Sequence, residues 1–314
     1  MNRGLTLYWM QCGGCGGDTI SFLNAQDPDL CQLFDRLEIE LLWHPSLSNH
    51  SAETHDQILH EISTGKKPLD ILVVEGSILT GPDNTGRFDL MRGEPRLEWI
   101  RRLAGKAGHV VAAGTCAAYG GVGVDSVVGS IGLQFKRSKR GGLLGEEFRS
   151  RLKAPVINLA GCPCHPEVMS GSLMALASGQ VPALDEMHRP LDWYNIMVHQ
   201  GCTRNEYHEY RVEESSFAER GCLFFHLGCH GPLVPGPCNR TLWNQRSSKT
   251  RAGVPCFGCT SPNFPHSYPF FQTRNIEGVP NELPKGISRA HYMAYKSMAA
   301  AAAPERLEKR ITDV

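Results

Sequence analysis

Five short runs that are apolar almost throughout punctuate the first half of the chain: LTLYWM (5–10), LEIELLW (37–43), DILVVEG (70–76), HVVAAG (109–114) and PVINLAG (155–161). Runs of this length and composition are what strands buried on both faces require. Between them lie AETHDQILHEIST (52–64), PRLEWIRRLAGKAG (95–108) and PEVMSGSLMALASG (166–179), with apolar residues at helical spacing and a glycine at or just beyond the end. Such alternation is satisfied by an α/β layer, here a flavodoxin-like doubly wound parallel sheet expected over residues 1–190.

Beyond residue 190 the texture changes. Residues 191–284 are rich in Cys, Gly, Pro, His and Asn and carry few long periodic segments, so a conventional core is not expected there. The stretch reads as an irregular cluster-binding domain. From Lys285 to Val314 good helix formers return, up to five alanines at 299–303, before Pro304 breaks the pattern and a charged tail follows.

Twelve cysteines in 314 residues, with 41% hydrophobic content, describe a chain large enough to bury a core without disulfide staples, so the cysteines read as ligands. Zero formal charge gives no electrostatic reason to expect nucleic acid, and KRSKR (136–140) reads as a solvated loop. The opening MNRGLTLYWM has no secretory or twin-arginine pattern, and no window is long and apolar enough to span a bilayer. A cytoplasmic chain is expected, associated with a membrane only through a partner.

In an open parallel sheet, ligands sit beyond the carboxyl ends of the strands. Four runs end in QCGGCGGD, EGS, TCAAYGG and CPCHP, which brings Cys15, Asp18, Cys116 and Cys162 to one edge. Glu75 faces the same place. A nucleotide-binding turn at GTCAAYGGVG is the competing reading, but neither G-x-G-x-x-G nor Walker spacing is met. The second half adds His199, Cys202, Cys222, Cys229, Cys238, Cys256 and Cys259. Structural zinc would accept these residue types, but paired C-x-x-C or H-x-x-x-H units are missing. The seven divide into four, one of them His, and three thiolates, which suits iron–sulfur clusters, a [3Fe–4S] cluster among them.

Taken together in this order, VVEGSI, GTCAAYGGV, INLAGCPCHP, VHQGC, LGCHGP and PCFGCTSPNFP resemble the small, electron-transferring subunit of [NiFe] hydrogenases from about residue 5 to about residue 270. The resemblance implies a proximal [4Fe–4S] cluster on Cys15, Asp18, Cys116 and Cys162. It also implies a distal [4Fe–4S] cluster on His199, Cys202, Cys222 and Cys229, and a medial cluster on Cys238, Cys256 and Cys259. Lys249 stands where the medial cluster's fourth position falls, so that cluster is expected to be [3Fe–4S]. The resemblance places the nickel–iron centre on a large partner subunit, in a dimer of heterodimers, with the electron acceptor left open. A cytoplasmic hydrogen-sensing subunit signalling to a kinase, and the cluster-bearing subunit of a quinone reductase, are the neighbouring alternatives.

Cys12, Cys15 and Asp18 stand at equal three-residue steps. A plain C-x-x-C reading chooses Cys12 and Cys15, whereas aligning Ser21, Phe22 and Leu23 with the family pattern puts the ligands at 15 and 18. Aspartate in that position resembles the actinobacterial-type hydrogenases, associated with hydrogen oxidation in the presence of oxygen. Asp18 also reads as a helix N-cap. Cys31 reads as a small buried hydrophobe, Cys164 is left open, and the tail with Tyr292, Met293, Tyr295 and Met298 reads as a docking helix.

Overall fold

The computed structural model describes residues 4–265, 273–284 and 286–309. The chain divides into two compact units, Met1–Tyr194 with Cys259–Phe264, and Asn195–Gly258 with Pro265–Val314.

All five apolar runs of the first unit are strands: β1 Leu5–Gln11, β2 Ile39–Trp43, β3 Ile71–Glu75, β4 His109–Ala113 and β5 Ile157–Leu159. They pair in parallel throughout, in the order β5-β4-β3-β1-β2. This is the flavodoxin-like order, with its switch point between β1 and β3. Every residue of β3 and β4 is buried, as the absence of alternation in their sequences requires.

The helices are α1 Gly17–Leu23, α2 Leu30–Arg36, α3 Ala52–Thr64, α4 Arg96–Lys106, α5 Gly114–Tyr119 and α6 Pro166–Ala177. On α4, Leu97, Ile100, Leu103 and Ala104 supply the buried stripe. The α3 helix starts where the Ser51 side chain accepts from the Thr54 amide and ends at Gly65 in the left-handed region. GTCAAY forms the short helix α5, which packs against β3, β4 and β5.

Register matters most at the top of the sheet. Gln11 pairs with Glu75, Glu75 with Ala113, and Ala113 with Leu159, so four strands end in one transverse row. The segments that follow leave the sheet at a common level.

The second unit has a small core of Tyr207, Leu223, Phe224, Phe225, Leu227, Tyr292 and Leu307, joined by Cys222 and Cys229. Its long helix, Arg289–Ala301, is capped by Ser288. Tyr292 faces inward and donates to Glu213 Oε2 at 2.6 Å, while His226 Nε2 lies 2.9 Å and Lys296 Nζ 3.3 Å from the same carboxylate. Burial pushes the Glu213 carboxyl up, but these three partners outweigh it and hold it below the usual range. The described part of the tail, residues 286–309, falls in the second unit; Lys285 itself lies outside the described residues. The first unit ends at Tyr194, beyond the expected residue 190. Tyr292 is unavailable for outward docking, whereas Met293, Tyr295 and Met298 are exposed. Among the described residues no helix is long and apolar enough to cross a membrane.

Tyr292→Phe removes the hydroxyl donor to a buried carboxylate, an interaction worth about 1.5–3 kcal/mol. Hydrogen exchange over residues 289–301 is expected to quicken accordingly, with protection of β3 and β4 unchanged.

Candidate metal centres

At the strand-end row, Glu75 is buried and its carboxylate is fully engaged. Oε1 accepts the amides of Asp18 and Thr19, each at 3.0 Å, and Oε2 accepts the Trp9 indole at 2.9 Å and the Thr19 hydroxyl. Two of the amides that the start of α1 leaves without intrahelical partners are thus satisfied from β3. Gly16, in the left-handed region, is the N-cap residue and makes no side-chain cap. The reading of Asp18 as an N-cap is therefore corrected: Glu75 takes over that task, and the Asp18 side chain is free to point elsewhere.

It points toward the β4 and β5 loops. Asp18 is buried, and its Oδ1 accepts the Cys164 amide at 2.6 Å. Its carboxylate lies so close to Gly114 that a Cβ there would stand 2.2 Å from Oδ2. Burial raises the Asp18 carboxyl to about 7, with the Cys164 amide pulling it down and Glu75 pushing it up. Cys15 and Cys162 are exposed and Cys116 is half-buried. Burial, then the charges of Asp18 and Cys15, raise the Cys116 thiol to about 11. Burial, then Cys116, Cys259, Asp18 and Cys15, raise Cys162 to about 12. Cys15, Asp18, Cys116 and Cys162 thus lie within one another's electrostatic reach.

Burial raises the Cys12 thiol, and the charged groups acting on it are Arg96, Asp89 and Glu75. Its amide donates to the Glu75 carbonyl at 2.7 Å, which extends the β1–β3 pairing by one residue. Cys164 is buried and takes part through its backbone: its amide holds Asp18 and its carbonyl accepts from Ser21. Cys31 is exposed on α2, contrary to the expectation of a buried small hydrophobe.

In the second unit, His199, Cys202, Cys222 and Cys229 line one small cavity together with Arg204, Leu223, Phe224, Asn239 and Thr250. Loops and short turns bring them there, including the helical turns Val198–Gly201 and Phe224–Leu227. Arg204 is buried; its Nε donates to the Thr250 carbonyl at 2.7 Å and its Nη1 to those of Glu219 and Gly221. Burial raises the Cys229 thiol to about 11 and also raises Cys222.

Cys238 and Cys256 belong to the second unit and Cys259 to the first. Cys259 offers its carbonyl to the Thr115 hydroxyl, and the Lys249 ammonium lies 5.6 Å above the Trp243 ring and 5.8 Å above Phe257. Among the described residues no group of three His, Cys, Asp or Glu could hold a single metal ion. A single ion gathers its donors onto one atom, whereas a cluster gives each donor its own iron. Gly114, the Cys164 amide and Arg204 escaped sequence reasoning, since no local pattern marks a residue that acts through a distant backbone.

A family model described as "NADH ubiquinone oxidoreductase, 20 Kd subunit" matches residues 15–176. That match defines the class: a flavodoxin-like subunit of an oxidoreductase. A second model, for the C-terminal part of NiFe/NiFeSe hydrogenase small subunits, matches residues 194–272, the half that separates hydrogenases from their quinone-reducing cousins. The chain is 30% identical over 299 residues to the F420 non-reducing hydrogenase I small subunit of Methanosarcina mazei, covering 86% of this chain and 76% of that one. It is 31% identical over 278 residues to the periplasmic [NiFeSe] hydrogenase small subunit of Desulfomicrobium baculatum, covering 82% and 83%. The actinobacterial-type NiFe-hydrogenase of Ralstonia eutropha H16 superposes with a TM-score of 0.77 at 27% identity, over 96% of this chain and 92% of that one.

The chain belongs to the [NiFe] hydrogenase small-subunit family. Its role is that of the electron-transferring subunit. Members of this family carry iron–sulfur clusters and pair with a large subunit that holds nickel and iron.

The contact between Gly114 and Asp18 gives a direct test. Gly114→Ala forces a side chain into the left-handed region and against the carboxylate, and is expected to cost about 1–3 kcal/mol. In an Asp18→Ala background the clash is relieved, so the cost measured by denaturant unfolding should shrink.

Proposed function

We propose that this subunit relays electrons from hydrogen oxidation on its large partner through three clusters. Cys15, Asp18, Cys116 and Cys162 would hold a proximal [4Fe–4S] cluster. His199, Cys202, Cys222 and Cys229 would hold a distal [4Fe–4S] cluster, and Cys238, Cys256 and Cys259 a medial [3Fe–4S] cluster. The observation that carries the reading is the single cavity lined by all four distal donors, three thiols and an imidazole. The mutual electrostatic influence of Asp18, Cys15, Cys116 and Cys162 supports the proximal set in the same way.

Bound clusters would supply one-electron carrying capacity, and the chain's own residues prepare for them. Iron takes thiolates, so the raised thiols of Cys116, Cys162, Cys222 and Cys229 must give up protons on loading. Asp18 brings a harder, less donating ligand than a thiolate. The Cys164 amide, which donates to Asp18 Oδ1, restrains where the carboxylate can reach.

The test is iron content and EPR of the heterodimer. The reading expects about eleven irons per small subunit and an oxidised three-iron signal from the medial cluster. Twelve irons with four-iron signals alone would overturn the assignment of Lys249's position. Cys12→Ser should leave iron content unchanged. Asp18→Cys should keep a four-iron proximal cluster at a lower potential, because a thiolate donates more charge to iron. Loss of the proximal cluster in Cys12→Ser, with Asp18→Ala intact, would exchange the two assignments.

A further inference from the structure

The three sulfurs of the proposed distal set all meet nitrogen donors, the Phe224 amide at Cys222 and the Gly231 amide at Cys229 among them. The Arg204 amide donates to Cys202 Sγ at 3.4 Å and the Cys256 amide to Cys229 Sγ at 3.3 Å. Cys222 Sγ lies 3.4 Å from His208 Nδ1. All of these donors except His208 are backbone amides fixed by the chain path. His208 donates from a side chain, so it alone can be removed or replaced without rebuilding a loop.

The His208 ring is held for this contact on several sides. It lies parallel to Phe225 at 5.9 Å between centroids, and edge-on to Phe224 at 5.3 Å. Its edge also meets the ring of His199, the proposed distal imidazole ligand, at 4.7 Å. The short helix Asn205–Glu209, which follows the loop of Cys202, carries it there. A sulfur bonded to iron is a hydrogen-bond acceptor only, so toward Cys222 the Nδ1 atom must present its proton.

We infer that His208 sets the reduction potential of the distal centre by donating a hydrogen bond to the Cys222 sulfur. This inference rests on the distal assignment proposed above. Reduction adds negative charge that the cluster shares with its sulfurs, and a hydrogen bond to that sulfur strengthens as charge accumulates. The donor therefore favours the reduced form and raises the potential at the exit of the relay. His208 acts through Cys222 and touches no substrate; it is a positioning residue for the electron.

The experiment uses the purified heterodimer and an EPR-monitored redox titration of the distal signal. His208→Leu keeps an apolar filler and deletes the donor. At a fixed potential its reduced-to-oxidised ratio should fall about tenfold, a shift of about 59 mV for one electron. His208→Asn places an amide N–H near the Nδ1 position and should stay close to wild type. The proximal and medial potentials should not move in either variant. An unchanged distal potential in His208→Leu, or equal shifts in the two variants, would overturn the inference, because the second pattern is that of lost packing.

Pulsed EPR of enzyme labelled with nitrogen-15 in histidine gives an independent reading that needs no assembly of the leucine variant. Wild type should show a strongly coupled nitrogen from His199 and a weakly coupled one from His208, with the weak one lost in His208→Asn. Absence of the weak coupling removes His208 from the centre. Absence of the strong coupling instead refutes the distal ligand assignment, so the two failures are told apart.

Discussion

The parallel register that puts Gln11, Glu75, Ala113 and Leu159 in one row is the constraint on which the first unit depends. Side chains alternate between faces along a strand, so a slip of one residue in any of these pairings would send each side chain to the opposite face of the sheet and misplace the loop above it. Glu75 locks the row. A buried carboxylate is costly unless hydrogen-bonded, and here Trp9, Asp18 and Thr19 all donate to it. One side chain from β3 therefore fixes the entry of α1, and with it the direction in which Asp18 leaves the backbone.

The two units support their sites by different means. In the first, a large apolar core holds stiff strands; the segments at their ends carry Cys15 and Cys162 exposed and Cys116 half-buried on α5. In the second, Cys222 and Cys229 are themselves part of a small aromatic core with Phe224 and Phe225. Burial there raises the thiols, so the apolar surroundings that shape the cavity also oppose the charged form of its donors.

Arg204 answers part of that opposition. Its buried guanidinium is spent on the carbonyls of Thr250, Glu219 and Gly221, which pins three segments around the cavity. Cys202, Cys222 and Cys229 lie close enough to act on its charge. A buried cation without such partners would be destabilising. The same cavity thus combines hydrogen-bonded backbone with one fixed positive charge.

Much of this was legible in the sequence, and for a definite reason. The buried strands, the helices at 52–64, 95–108 and 166–179, and the common level at which four strands end follow from hydrophobic periodicity and from the rule that ligands in parallel sheets sit beyond the strand ends. Other features depended on contacts between residues far apart in the chain. The sequence could not say that Glu75 would displace Asp18 from helix capping, that Gly114 and the Cys164 amide would receive the carboxylate, that Cys31 would be exposed, or that Tyr292 would turn inward to Glu213. Periodicity reports which face of an element is buried because neighbours in sequence share that face. Which atom a polar side chain finally meets is decided by partners that only the folded chain brings within hydrogen-bond distance.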